Sequence, residues 1–365
     1  MPRVLVDLLS YSGTKGGMEV YTRELYKQLG EIAPSWDFIG YLSREGYELD
    51  RSWFPGRTID SGISGENRFA WAYGELFSVA RHARRLGVEL VHSPATLGPR
   101  RTKIPTVVTM HDMLYWSHPE FMSTPLYTEP VKWMERQVAR NAAHIITVSP
   151  GSASEILKYL PVDPGRVHVV PLAGGHPAGV DRSLAGTEGP LIIAMGNRRP
   201  HKNWAALPQA IALLPPERRP RVIITGSRGD DPLAPLVKEL EVEPWVELRG
   251  WVTDDEVARL YSTASALAIP SLAEGFSLPT LEAMSAGVPV LLSDIEVHRY
   301  VGGRAARFFP TQDVPALARV IDDVVNDPAE LARMTIAGHA QERLFTWERT
   351  ARETLAVFER ALAGR

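Results

Sequence analysis

Glu274 and Glu282 stand eight residues apart in the run Glu274-Gly275-Phe276-Ser277-Leu278-Pro279-Thr280-Leu281-Glu282, the most chemically informative stretch of the chain. It leaves an apolar run, Ala266-Leu267-Ala268-Ile269, that ends at Pro270 and reads as a strand. It then enters a helix, where Pro279 fits the first turn because its missing N–H is not needed there. Gly275 can take a backbone angle that other residues avoid. The N–H groups of Phe276, Ser277 and Leu278 would then stand free at a helix N-terminus, a place that favours phosphate. A carboxylate accepts hydrogen bonds from hydroxyls and repels phosphate, so the two glutamates should flank the anion without touching it. Together these residues predict a nucleotide-sugar site, with amides for the diphosphate and carboxylates for sugar and ribose hydroxyls.

Three further groups of residues could share that chemistry. Gly196-Asn197-Arg198-Arg199-Pro200-His201-Lys202-Asn203 follows the apolar run Leu191-Ile192-Ile193-Ala194-Met195. Arg198 or Arg199 could bind a diphosphate bidentately, Lys202 acts as a point charge, and Asn203 fits a helix cap. A solvated basic turn is the alternative. A second phosphate-type loop in the same half of the chain favours binding. Gly16-Gly17 follows the first strand and opens a helix, which allows close backbone approach to a phosphate. It lacks a dinucleotide fingerprint and also suits a plain flexible turn. His111-Asp112 ends the run Thr106-Val107-Val108-Thr109-Met110, with Tyr115 and Trp116 close behind. A lone histidine is usually structural. A strand-end position with aromatic neighbours able to stack on a sugar favours function, with His111 ahead of Asp112.

Other chemistries find little support. No Asp-x-Asp occurs, and Asp294-Ile295-Glu296-Val297-His298 reads as a strand end and helix start, so no metal is expected. Ser149 lacks a nucleophile-elbow context and reads as a helix cap, with Pro150 next. A net charge of −3 gives no reason to expect nucleic acid as a partner. The absence of cysteine excludes disulfides and thiolate metal sites and fits the cytoplasm. Met1-Pro2-Arg3-Val4-Leu5-Val6-Asp7 reads as a first strand and not as a signal peptide. No apolar run approaches the roughly 20 residues that span a bilayer.

The elements that must position these residues follow from periodicity. Short apolar runs alternate with amphipathic segments over 365 residues, with 44% hydrophobic content, which predicts two α/β domains built on parallel sheets. Strands are expected near 3–9, 37–42, 89–93, 105–110, 144–149 and 167–171, then near 190–195, 221–225, 246–249, 265–269 and 288–293. Helices are expected between them, including 17–32, 66–86, 279–286 and 328–341. The domains run over 1–175 and 190–345, joined by a Gly- and Pro-rich linker at 176–189, with ligands expected in a cleft between two doubly wound sheets. A last helix over 346–365 puts Ala351, Leu355, Phe358 and Leu362 on one face. Pattern alone leaves open whether it packs on its own domain or crosses back to the first. The helix near 66–86 carries Phe69, Trp71, Phe77, Arg81, Arg84 and Arg85. It reads as an amphipathic core helix, with weak attachment to a membrane surface, peripheral at the inner membrane, as the alternative.

Taken together these residues resemble glycosyltransferase family 4, the retaining, nucleotide-sugar-dependent enzymes of GT-B fold, over nearly the whole chain. The strongest piece is Pro270-Ser271-Leu272-Ala273-Glu274-Gly275-Phe276 through Glu282-Ala283-Met284, then Gly287-Val288-Pro289-Val290, which is similar to the family's E-x7-E motif. The resemblance implies that Glu274 contacts donor-sugar hydroxyls and Glu282 the ribose. It also implies that Arg199 or Arg198 binds the diphosphate with Lys202, that Gly16 and Gly17 approach the same phosphates, and that His111 lies near the anomeric centre. Gly275, Phe276, Ser277 and Leu278 would line the donor, and Trp251 would sit at the base pocket. Asp112, Tyr115 and Trp116 fall on the acceptor side. The implied reaction moves a hexose such as glucose or mannose from a nucleotide diphosphate to a glycan, lipid-linked or small-molecule acceptor. It needs no metal and no cofactor beyond the donor. A sugar-nucleotide epimerase, a phosphorylase and a non-catalytic nucleotide-sugar-binding protein are the alternatives on the same architecture.

Overall fold

The computed structural model describes residues 1–364 apart from Lys15, Ser123 and His176. The chain divides into two compact units, Met1–Leu172 with Thr346–Arg365, and Ala173–Phe345.

In the first unit the strands are β1 (Arg3–Leu8), β2 (Asp37–Leu42), β3 (Arg57–Asp60), β4 (Leu90–Ser93), β5 (Thr106–Met110), β6 (His144–Thr147) and β7 (Val167–Val169). They form one parallel sheet in the order β3-β2-β1-β4-β5-β6-β7. Consecutive Val4, Leu5 and Val6 are all fully buried, so both faces of the sheet are covered and the strand reads as a continuous apolar run. The chain reverses direction across the sheet between β1 and β4. Loops leaving these two strands part to opposite sides, which is where open α/β sheets receive ligands.

The long helix expected near 66–86 is interrupted. Asn67 caps it, its Oδ1 accepting from the N–H groups of Phe69 and Ala70 at 3.1 Å each. The α-helix Arg68–Tyr73 then passes through a π-helical turn, Gly74–Ser78, before Val79–Leu86 resumes the α-helix. The turn carries Glu75 inward, where Trp71 Nε1 donates to it at 2.8 Å and burial raises its carboxyl pKa well above the usual range. Phe69, Tyr73 and Phe77 remain exposed. Among the described residues no helix is long and apolar enough to cross a membrane.

The last helix, Trp347–Ala363, belongs to the first unit. Thr346 caps it through Arg349 N–H, and Thr350 Oγ1 donates to Pro171 O at 2.7 Å. Phe358 packs against the rings of Trp36 and His92. Its buried face holds Thr350, Ala351, Thr354, Val357, Phe358 and Ala361, so Ala351 and Phe358 of the expected stripe are buried while Leu355 and Leu362 are only partly so. Small threonines allow close helix approach, so Leu355 and Leu362 sit at the edge of the contact.

In the second unit the strands are β8 (Leu191–Met195), β9 (Arg221–Ser227), β10 (Val246–Gly250), β11 (Ala266–Ile269), β12 (Val290–Ser293) and β13 (Ala306–Phe309). Their order is β10-β9-β8-β11-β12-β13, again all parallel. The direction reverses between β8 and β11. Ile192, Ala194, Val222, Ile224, Ala266 and Ala268 build one core, each at the period of two that a strand dictates. Residues 173–189 contain little apolar surface, yet they are fastened to this unit. A Cβ on Gly174 would lie 2.8 Å from Leu281. Arg182 Nη1 donates to the carbonyls of Tyr261 at 2.6 Å and Ala264 at 2.7 Å, closing the end of the helix Asp254–Thr263.

Candidate functional site

The loops that leave β8 and β11 carry the densest chemistry of the second unit, at the point where strand order reverses. Lys202 Nζ donates to Glu274 Oε1 at 2.6 Å, and Ser271 Oγ donates to the same oxygen at 2.7 Å. The side chains of Lys202 and Glu274 are 19% and 9% exposed, so the ion pair is only partly open to water. Burial opposes charge on Glu274. The Lys202 ammonium and the hydrogen bonds from Lys202 and Ser271 outweigh it and hold the carboxyl below its usual pKa. Two more bonds tie the loops together: Leu272 N–H to His201 O at 2.7 Å and Asn203 Nδ2 to Pro270 O at 3.3 Å. Asn203 therefore does not cap the start of the next helix but ends the short helical turn Pro200–Lys202. It adopts a left-handed conformation, φ 52°, and the following helix begins only at Ala206.

The two arginines before Lys202 are in different situations. Arg198 is 8% exposed and clamps Asp231 with Nε at 3.0 Å and Nη2 at 2.7 Å. Its remaining donors reach the carbonyls of Thr225 and Ile224. Its guanidinium is spent on joining the ends of β8 and β9. Arg199 is exposed, and no ion pair involves it among the described residues.

The helix that carries Glu282 spans Leu278–Ser285, with Pro279 in its first turn. The unusual backbone angle lies at Ser277, φ 79°, and not at Gly275 as the glycine suggests. Ser277 Oγ and Thr280 Oγ1 are 2.8 Å apart, a bond that offsets part of the strain of a left-handed serine. Phe276 is buried against Phe345, so only its backbone can meet a ligand. Among the described residues the N–H groups of Phe276, Ser277 and Leu278 make no hydrogen bond. Glu282 accepts from Tyr261 OH at 3.3 Å, and burial raises its pKa. Trp251, just beyond β10, is 61% exposed with the Arg228 guanidinium 5.2 Å above its ring.

In the first unit, His111 follows β5 and is buried. Its Nε2 lies 2.8 Å from Pro94 O, beyond β4, and a carbonyl only accepts, so Nε2 carries the proton. Burial lowers the ring's pKa, which leaves Nδ1 as a bare acceptor. The edge of Tyr21 packs on the ring, and Tyr21 OH is fixed by Thr109 Oγ1 at 3.0 Å. Asp112 Oδ1 accepts from Leu114 N–H at 3.1 Å and starts the turn that carries Tyr115 and Trp116. The Arg136 guanidinium lies 4.7 Å from the centre of the Trp116 ring and the Tyr159 ring 6.1 Å from it, and Trp116 Nε1 donates to Glu135 at 2.6 Å. Tyr115 packs against the same apolar cluster. Gly16 precedes the helix Gly17–Ile32 with φ 59°, and a Cβ there would meet nothing within 4 Å. The glycine serves the backbone angle and leaves open space above the turn.

Burial pushes the Glu135 carboxyl up to about 8. Its unfolded value is about 4.3, so the folded chain holds one extra proton between these limits. Stability from this group is full below the unfolded value and falls as pH rises to about 8. Glu135→Gln keeps an acceptor for Trp116 and cannot ionise. Its stability relative to the parent is expected to improve by a few kcal/mol, order of magnitude, between pH 5 and 8. Urea unfolding at the two pH values checks this, and a constant difference would contradict it.

Sequence reasoning did not single out Ser271, Asp231 or Tyr261. Ser271 lies three residues before Glu274 and was open to inference. Asp231 and Tyr261 reach Arg198 and Glu282 across strand ends, 33 and 21 residues away, where spacing carries no signal.

The model described as "Glycosyltransferase Family 4" matches residues 15–173, and "Glycosyl transferases group 1" matches residues 180–341. The chain is 31% identical over 410 residues to the MMP alpha-(1->4)-mannosyltransferase of Mycolicibacterium hassiacum, covering 98% of both chains. Its fold matches sucrose-phosphate synthase from Thermosynechococcus elongatus with a TM-score of 0.79 at 19% identity, over all of both chains. Anabaena HepE in complex with UDP-glucose matches with a TM-score of 0.72 at 16% identity, covering 98% of this chain and 100% of the other. The chain has the GT-B fold of two parallel-sheet α/β domains, and it belongs to glycosyltransferase family 4.

Proposed function

We propose that this glycosyltransferase moves a hexose, mannose- or glucose-type, from a nucleoside diphosphate sugar to an acceptor hydroxyl with retention of configuration and without a metal ion. The observation that carries the reading is the Lys202–Glu274 pair, poised between the β8 and β11 loops beside unpaired amides at a helix start. The mannosyltransferase relative, 31% identical, favours mannose. The UDP-glucose complex of a structural neighbour keeps a uridine donor open.

In this reading Lys202, the exposed Arg199 and the amides of Phe276, Ser277 and Leu278 meet the diphosphate. Charge grows on its oxygen as the bond to the anomeric carbon breaks, and fixed cations and dipoles stabilise it at once. The acceptor oxygen attacks from the same face, and its proton passes to the departing phosphate oxygen. Glu274, held in an ion pair below its usual pKa, is an acceptor for sugar hydroxyls and not a covalent nucleophile. Neutral His111 offers Nδ1 to a sugar hydroxyl. Glu282 holds the ribose, and Trp251 faces the base. Asp112 and Tyr115 belong to the acceptor side. Trp116, packed against Arg136 and Tyr159, belongs to the same side.

A thermal-shift series with nucleoside diphosphates tests the reading, because a ligand bound only by the folded chain raises Tm. No shift with any of them would contradict it. Product anomeric configuration by NMR, and turnover in a chelator, decide retention and metal independence. Glu282→Ala is expected to weaken nucleotide binding by roughly tenfold to a hundredfold, the loss of hydrogen bonds to a charged acceptor. Calorimetry showing equal affinity would remove Glu282 from the ribose.

A further inference from the structure

Glu19 lies in the first turn of the helix Gly17–Ile32, and its side chain folds back over the preceding loop. A single oxygen, Oε1, accepts from three successive backbone N–H groups: Ser12 at 2.8 Å, Gly13 at 2.9 Å and Thr14 at 3.3 Å. Gly13, at φ 81°, lets these amides converge, and Ser12 Oγ and Thr14 Oγ1 close the loop at 2.9 Å. Successive amides pointing inward form an anion-binding nest. Here the anion is supplied by the chain itself. The backbone of the same residue completes the anchor, Glu19 N–H donating to Gly16 O at 3.0 Å.

We propose that Glu19 is a positioning residue for the donor: its carboxylate fills the nest at residues 12–14 and thereby fixes the Gly16–Gly17 turn as the part of the loop offered to phosphate. The proposal rests on the reading that this turn meets the donor diphosphate. An empty nest would itself attract a phosphate and draw the donor out of register. A filled one repels phosphate from residues 12–14 and holds the turn open; its chain neighbours apart, no described atom lies within 4 Å of a Cβ built on Gly16. A purely local role, an acidic residue favouring a helix N-terminus, would need the charge but not the reach.

Three variants separate these roles. Glu19→Ala empties the nest, Glu19→Gln keeps an oxygen at the same reach without charge, and Glu19→Asp keeps the charge one methylene too short. Steady-state kinetics with the sugar nucleotide selected by thermal shift should show donor KM raised at least about tenfold in the Ala and Asp variants. The change in kcat should be small, and Gln should restore most of KM. Hydrogen exchange without ligand should show faster exchange at Ser12–Thr14 in Ala and Asp, and slow exchange in Gln. An unchanged donor KM in Glu19→Ala, or Glu19→Asp behaving like the parent, would overturn the proposal. Exchange keeps the two levels apart. If the parent enzyme turns over no donor, the donor reading fails and takes the positioning role with it, while lost protection in Glu19→Ala still establishes the anchor.

Discussion

Lys202→Ala is expected to lower kcat by roughly 10²-fold or more at saturating donor, the cost typical of removing one fixed donor from a developing anion. The site adds a second consequence. Lys202 is the main cation that holds Glu274 charged against its burial, so its loss leaves a carboxylate, 9% exposed, with Ser271 and the nearby His298 ring to compensate. Glu274 should then protonate more readily, and the residual activity of the variant should fall as pH is lowered. Glu274→Gln separates the effects. It leaves Lys202 free to meet phosphate while removing the acceptor charge, and is expected to lose less than Lys202→Ala. Single-turnover rates for both variants check this. Unchanged turnover of Lys202→Ala would remove this residue from the diphosphate, and with it the observation on which the functional reading stands.

Asp231→Ala should destabilise the second unit by about 3–5 kcal/mol, the usual cost of leaving a buried charge without its partner. Arg198 is 8% exposed and fastened by Asp231 on one side and carbonyls on the other. The orphaned guanidinium has no other carboxylate among its hydrogen-bond partners. Burial opposes charge on Asp231, and Arg198 with the Leu233 N–H overcomes it, so the pair works as a charged clamp. Replacing both residues by apolar ones of similar volume should recover much of the loss. Urea unfolding followed by tryptophan fluorescence measures it. An Asp231→Ala midpoint equal to the parent's would show that water reaches Arg198 in spite of its burial. The same clamp makes Arg199 the arginine available to a ligand, so Arg199→Ala should affect donor binding without affecting stability.

Most strands that sequence alone locates are buried on both faces, and the edge strands β7 and β10 are located as well. Val4-Leu5-Val6 and Ile192-Ile193-Ala194 are continuous apolar runs because no position of a central parallel strand faces water. The edge strands β3 and β13, Arg57–Asp60 and Ala306–Phe309, escape the same reasoning. Both are four residues long and mix charged with apolar residues, so they lack the continuous apolar run that marks a central strand. The π turn at Gly74–Ser78 is hidden because residue types do not signal the local change from i→i+4 to i→i+5 hydrogen bonding.

The candidate residues of each unit, Glu274, Glu282, Lys202 and the arginine pair in one, His111 and the Gly16–Gly17 turn in the other, were legible from order along the chain, because strand ends and helix starts in a parallel fold recur at readable positions. What each does was decided in three dimensions. Which arginine is bound to Asp231, which nitrogen of His111 keeps its proton, where the left-handed residue of the Glu274–Glu282 loop falls, and that Glu19 fills a nest of amides all depend on partners brought close by strand order. Hydrogen-bond direction and burial set charge and protonation, and neither is a property of a residue until its neighbours are in place.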